Sequence, residues 1–364
     1  MATATSTPEA TDLFLSLTPD RVLAAVDASG LRSRPVCYPL NSFENRVYEV
    51  ELEDCSRIVA KFYRPGRWSA AQILEEHAFL AALDAEEIPV CPPRPFPDGA
   101  TLKQIDHIWY TIFERRGGRA PDELDDAAAR RLGTYAARLH NVGARQPAGH
   151  RPALDAESYV RDAVAWLADH GAVPGPLERR YEGAALALAE IAESLMDGVA
   201  VHLVHADLHL GNVLLRDCEL RVLDFDDMRV GPAVQDVWLA LPGRDRESLR
   251  QREVFLDGYE QFRAFDRSTL RFVEPLRGLR MVHYAAWLAQ RWHDPAFRAG
   301  WPHFGTPDYW RQETEDLEEL LAVVERAVVR DEQASRYAGT ARVMTGPVEE
   351  ALTNRDYFWD WEGD

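Results

Sequence analysis

The stretch that decides the fold is residues 201–227, VHLVHADLHLGNVLLRDCELRVLDFDD. Val201, Leu203 and Val204 read as a short strand running into a polar loop, His205–Asn212. Val213, Leu214 and Leu215 then pair across Arg216–Glu219 with Leu220, Val222 and Leu223, and this hairpin delivers Asp224 at its end. One small ribbon thereby gathers Asp207, Asn212 and Asp224. Phosphoryl transfer needs such a set: a carboxylate that orients an attacking hydroxyl and takes its proton, and oxygen ligands that hold magnesium against nucleotide phosphates. Turn chemistry explains an isolated Asp ahead of Gly-Asn. It does not explain three polar positions, two strands and the distance between them together. His205 and His209 flank Asp207 as zinc ligands would, but no further His or Cys pattern lies nearby. His205 reads as a loop residue and His209 as a lining one.

His205, Asp207, Leu208 and Asn212 also fit H-x-D-L-x-x-x-N, and DFD at 224–226 stands where protein kinases carry DFG. Working upstream, Lys61 ends the apolar run Ile58-Val59-Ala60, as the lysine of V-A-I-K does. The next segment, SAAQILEEHAFLAALDA, has helical periodicity with Ser69 placed to cap it. Glu76 falls among Ile73, Phe79, Leu80 and Leu83 on its apolar face. Buried carboxylates seldom persist unpaired, so Lys61–Glu76 is the preferred ion pair, with Glu75 as competitor. The loop LNSFENR lacks the glycines of a phosphate loop; Ser42, Asn45 and backbone N–H groups are candidates to cover phosphates, and a plain strand-joining turn stays open.

Further out, VYEVEL and RIVAKFY read as strands joined by EDCS, and IWYTIFE as another. After RRGGRAP the pattern turns helical: DAAARRLGTYAARLHNV, ESYVRDAVAWLADH, GAALALAEIAESLMDG, and helices again to about residue 330. The expected organisation is α+β and bilobal: a disordered 1–11, a small β-rich N-lobe over 12–114, a larger mostly helical C-lobe over 115–330, and an acidic tail over 331–364 ending in FWDWEGD. Trp287 and Trp292 read as core residues with a substrate groove as the alternative, and His140 as a packing residue. Arg57, Arg64 and Arg67 form a basic patch near Lys61, facing the nucleotide or solvent.

The 364 residues are 46% hydrophobic with ten Trp, enough for a sizeable core, and the net charge of −19 argues against nucleic acid or anionic membranes as partners. Cys37, Cys55, Cys91 and Cys218 show no CxxC spacing and read as buried thiols of a cytoplasmic protein. No basic n-region opens the chain and no apolar run approaches a membrane span.

LNSFENRVYEV, IVAKFYRPGRWSAAQILEEH, GGR, HADLHLGN, LDFDD and GPAVQDVW together resemble the aminoglycoside-phosphotransferase and choline-kinase superfamily of protein-kinase-like folds. Within it, NSFENRVY with KFYRPGRW is most similar to a bacterial branch of serine/threonine protein kinases tied to stress survival, over residues 15–325. The resemblance implies ATP and Mg2+ as cofactors, Asp207 as proton acceptor, Asn212 and Asp224 on magnesium, and Ser42 at the ATP site. It implies a Lys61–Glu76 pair, a hinge of Phe113, Glu114 and Arg115 beside the adenine, and Asp236 bracing the catalytic loop, with Asp226 near the metal but not ligating it. It also implies a monomeric cytoplasmic enzyme acting on protein substrates that the sequence does not name. A kinase for an amine, sugar or amino alcohol stays open, as does a nucleotide-binding regulator without transfer. Ala206 departs from the superfamily's usual Gly, a change that is tolerated if the backbone there is not left-handed.

Overall fold

The computed structural model describes residues 8–343 apart from Cys218. The alternating apolar residues of the N-terminal third form strands as their period of two requires. Strand β1 (Ser33–Pro39) pairs with β2 (Arg46–Leu52), and β2 with β3 (Arg57–Phe62), where Val47 lies opposite Lys61. With β4 (Lys103–Ile105) and β5 (Ile108–Glu114) they make one antiparallel sheet in the order β1-β2-β3-β5-β4, which sets Lys61 opposite Thr111. Helices α1 (Pro8–Leu15) and α2 (Pro19–Ala28) precede the sheet, and Phe14, Val22 and Val26 share a core with Val50, Ile58, Phe62 and Ile112. Helix α3 (Ala70–Ala85) starts at Ser69, whose side chain caps it in a reciprocal capping box with Gln72.

The expected disorder over 1–11 does not hold for residues 8–11, which are helical. The polar composition hides two anchors: the Phe14 ring lies under the guanidinium groups of Arg46 and Arg64, and Thr11 bonds His293 at 2.5 Å. Residues 1–7 lie outside the described residues.

The C-lobe is built of α4 (Asp126–Gly143), a π turn (Glu157–Arg161) running into α5 (Asp162–Asp169), α6 (Gly175–Met196), α7 (Val234–Ala240), α8 (Arg246–Tyr259), α9 (Val273–Gln290), α10 (Pro295–Gly300) and α11 (Pro307–Val343). The 201–227 stretch lies against them. Strand β6 (His202–Val204) pairs with β9 (Arg229–Gly231), and β7 (Val213–Arg216) forms the expected hairpin with β8 (Glu219–Val222), Val213 opposite Val222; Arg216 and Glu219, read as turn residues, pair with each other, and Leu223 lies past the strand end. Gly143 lets β6 sit tight on α4, because a Cβ there would overlap the Leu203 carbonyl oxygen. The tail expected from 331 begins inside α11, whose backbone stays helical to Val343; FWDWEGD lies outside the described residues. Cys37 and Cys91 are half-buried and Cys55 is exposed in the β2–β3 turn, so these three are not the buried thiols expected; Cys218 lies outside the described residues. No described helix is long and apolar enough to cross a membrane.

Candidate active site

Asp236, the third residue of α7, organises the loop that carries Asp207. It is fully buried and accepts hydrogen bonds from the backbone N–H of His205 (2.9 Å) and Ala206 (2.7 Å) and from His140 Nε2 (2.9 Å). His140 is held on its other side by the Tyr259 hydroxyl at 2.8 Å, so it is the packed residue expected. Burial works to raise the Asp236 pKa, but the hydrogen bond and charge of His140 hold it below the ordinary value. His205 Nε2 donates to the Leu223 carbonyl at 2.9 Å and its Nδ1 accepts from the Asp207 N–H, which ties the loop to the end of the hairpin. Asn212 Nδ2 donates to the Asp207 carbonyl (2.9 Å) and to Asp207 Oδ2 (3.2 Å). Leu223 N–H donates to the Asn212 carbonyl at 2.8 Å, and the three expected polar residues meet at one end of the ribbon.

Ala206 has φ +64°, so the condition set for tolerating it fails. The left-handed backbone costs an alanine about 1–2 kcal/mol. Glycine relieves that but loses a buried methyl worth about 0.8 kcal/mol and gives up about 0.5–1 kcal/mol of chain entropy. Ala206→Gly is therefore expected to leave stability within about 0.5 kcal/mol of wild type. A denaturant titration showing a loss above about 1.5 kcal/mol would refute that balance.

Lys61 sits among three carboxylates: Asp224 Oδ1 at 3.0 Å, Asp226 Oδ1 at 3.3 Å and Glu76 Oε1 at 3.8 Å. The preferred Lys61–Glu76 pair exists but is the longest of the three. Burial opposes the Lys61 charge, yet these carboxylates raise its pKa well above the ordinary value. The nearer partner of Glu76 is Arg151, at 2.9 Å, which also donates to the Asp226 carbonyl at 2.6 Å. Burial pushes Glu76 up to about 7, against the pull of Lys61 and Arg151. Glu75 does not compete for Lys61; it accepts the backbone N–H groups of Gly149, His150 and Arg151 and so holds the loop that brings Arg151 in.

Asp226 stands beside Asp224, the two sharing Lys61. It is buried and bonded by Lys61, Arg67 and Asn45 Nδ2 (3.2 Å). Asn45 is thereby taken from the phosphate-covering role expected of it. The basic patch is also dispersed: Arg57 pairs with Glu49 (2.6 Å), Arg67 with Asp226 and Asp227, and Arg64 with Asp294 (3.0 Å) and Glu44 (3.2 Å). Glu44 in turn accepts from Arg291 Nη2 (3.1 Å) and Trp287 Nε1 (2.6 Å). These contacts join the loop before β2 and the end of β3 to the hairpin and to α9.

All nine expected site residues line one cavity of about 840 Å³ between the lobes, Ser42 at its N-lobe edge and Phe113, Glu114 and Arg115 where β5 ends. Asp224 is half exposed to it, whereas Lys61 is almost fully covered. On the far side, Arg280 of α9 bonds Asp207 Oδ1 at 2.7 Å, and His209 Nε2 lies 3.4 Å from Oδ2. Burial raises the Asp207 pKa, but the His209 hydrogen bond and the Arg280 charge bring it below the ordinary range. Trp287 and Tyr284 stack at 5.4 Å and both line the cavity, so the groove reading holds for Trp287; Trp292 packs on Phe304 instead. Arg151 and Arg280 are the site residues that sequence reasoning missed.

Comparison with known proteins gives the family and the fold. Stress response kinase A of Escherichia coli K12 is 38% identical over 315 residues, 86% of this chain and 95% of that protein. Serine/threonine protein kinase RdoA of Salmonella typhimurium LT2 is 38% identical over 83% of this chain and 92% of its own length. The fold is shared with the amicoumacin kinase hAmiN (TM-score 0.65, 22% identity, 82% of this chain and 93% of that one). It is also shared with a microcompartment-associated aminopropanol kinase (TM-score 0.65, 24% identity, 85% and 98%). The bilobal protein-kinase-like fold is thus common to all of these. Residues 37–273 match the sequence model of the APH phosphotransferase enzyme family, and together with the 38% identity spread over most of the chain this makes the protein a member of that family, and a phosphotransferase.

Proposed function

We propose that this phosphotransferase is an ATP- and magnesium-dependent serine/threonine protein kinase. The observation that carries the reading is the convergence of Lys61, Asp207, Asn212 and Asp224 on one cavity between a strand-and-hinge wall and a helical wall. In this reading adenine lies along Phe113–Arg115, the loop bearing Ser42 covers the phosphates, and Lys61 pairs with them. Glu76 and Arg151 hold Lys61 and the DFD turn in place. The hydroxyl of the acceptor attacks the terminal phosphorus, its proton passes to Asp207, and the bond to ADP breaks.

The donor set fits magnesium. Among the described residues no cluster of three or more His, Cys, Asp or Glu makes a closed metal cage. Magnesium in nucleotide sites is held by one or two protein carboxylates, with water and phosphate completing its shell. Asp224 offers a half-exposed carboxylate, and Asn212, whose Nδ2 is occupied by Asp207, offers its carbonyl oxygen. Bound there, the ion would supply charge neutralisation for the phosphates.

Two observations favour a protein acceptor over a polycationic small molecule. The 38% identical relatives are named as kinases of the stress-response type, one of them as a serine/threonine protein kinase. Despite the net charge of −19, the cavity-lining carboxylates already have cationic partners: Glu44 has Arg291, Glu49 has Arg115, Glu114 has Arg116, Asp227 has Arg67. An aminoglycoside-like polyamine would find no free carboxylate among them. The reading carries with it a monomeric cytoplasmic enzyme. Transfer of radiolabel from ATP with magnesium, to a generic protein and to a panel of amines, sugars and amino alcohols, tests it. Label on serine or threonine of protein is expected; label confined to a small molecule would overturn the protein-kinase reading.

A further inference from the structure

The cations around the cavity are not equally occupied. Lys61 is shared by three carboxylates, Arg67 by Asp226 and Asp227, and Arg115 and Arg116 are paired with Glu49 and Glu114. Arg280 differs. Asp207 is its one ion-pair partner among the described residues, reached through Nη2, while Nε and Nη1 have no hydrogen-bond partner among them. Its guanidinium lines the cavity. Tyr159, which lines the same cavity, carries on its ring the guanidinium of Arg229 at 4.8 Å, a residue 7% exposed whose Nε is buried without a hydrogen-bond partner. Arg229 makes no salt bridge among the described residues, and Tyr159 stacks on His283, which burial keeps at a pKa of about 3 and so neutral. Arg280 therefore has spare donors beside the carboxylate read as the base. A guanidinium fork matches the oxygens of a phosphate group, and buried charge without a partner is costly enough to mark a place where a partner arrives.

We propose that Arg280 forms a phosphoryl subsite on the acceptor side of Asp207, which receives the group as it leaves ADP and holds the phosphoester product. The inference rests on the reading of Asp207 as the base for transfer to a hydroxyl, not on whether the acceptor is a protein. The acceptor oxygen bonds to the terminal phosphorus, the bridging P–O bond breaks with its electron pair left on the β-phosphate, and the hydroxyl proton goes to Asp207. Arg280 keeps all its protons; one nitrogen fixes the base while the free ones meet the phosphoryl oxygens. A surface arginine that only trims the fold has no reason to do both.

Two measurements on the full chain test this. In the first, inorganic phosphate is titrated calorimetrically into protein saturated with ADP, so that the donor side is filled. Wild type is expected to bind it, Arg280→Ala at least about tenfold more weakly, and Arg280→Lys in between. In the second, turnover with any active acceptor is expected to fall ~10²–10³-fold in Arg280→Ala, the loss typical of one oxyanion donor, with the Kd for ATP unchanged and part of the rate restored by guanidinium ion in solution. Phosphate bound equally by wild type and Arg280→Ala, or bound by neither, overturns the subsite. So does a turnover loss matched by an equal loss of ATP affinity. A wild type that labels no protein removes the protein-kinase reading alone, because the phosphate titration does not involve an acceptor.

Discussion

Asp207→Asn is expected to lower phosphoryl transfer by ~10²–10⁴-fold, the usual contribution of a general base, while ATP binding stays near wild type. The separation follows from the site's layout. Asp207 lies on the loop after β6, bonded by Asn212 and Arg280, and takes no part in the Lys61 cluster. Asparagine keeps the shape and one oxygen, so the bond to Arg280 can survive on Oδ1, but it cannot take a proton at neutral pH. Single-turnover transfer and calorimetric ATP titration on the same preparation check both halves. Turnover equal to wild type would remove Asp207 from its role. Loss of ATP binding would mean that the loop, not the proton transfer, had been damaged.

The second large effect is structural. Asp236→Ala is expected to destabilise the protein strongly, because three buried donors, the His205 and Ala206 N–H groups and His140 Nε2, lose their acceptor together. At about 1–3 kcal/mol for each orphaned donor, the low end alone amounts to about 3 kcal/mol. The pH dependence has a definite sign. The folded pKa of Asp236 lies below its ordinary value of 3.8, so its contribution is complete above 3.8 and is lost as pH falls through the folded value. Urea titrations at neutral pH should show the full loss in the variant, and the gap to wild type should narrow in strong acid. A variant as stable as wild type at neutral pH would mean that water or another donor set replaces the carboxylate.

What the sequence made legible was local. Asp207, Asn212 and Asp224 are joined by one hairpin, so alternation and turn chemistry are enough to bring them together. Lys61 and Glu76 sit on a strand and the next helix, whose periods place them. The rest depends on partners that no period connects: Arg151 meets Glu76 across 75 residues, Arg280 meets Asp207 across 73, and Arg64 meets Asp294 across 230. Arg151 and Arg280 read in sequence as ordinary surface cations, and Arg64 as one of a patch near Lys61 whose acidic partner lies far along the chain. Asp226 was expected near the metal without ligating it; Asp224 has φ +57°, and the turn it starts sends the Asp226 side chain to Lys61 and Arg67, partners that no period in the sequence connects to it. The backbone at Ala206 was open in the sequence for a related reason, since a left-handed φ leaves no mark on residue identity unless the residue is glycine.

The buried contacts of Glu44, Arg64 and Arg67 with Asp226, Arg291 and Asp294 have a consequence for modularity. Each lobe carries half of every pair, so neither half is electrically complete alone. A chimera that joins one half of this chain to a half lacking these partners would bury arginines without their acids, or acids without their arginines. The lobes look like interchangeable parts in outline, but in this chain they are inherited as one piece.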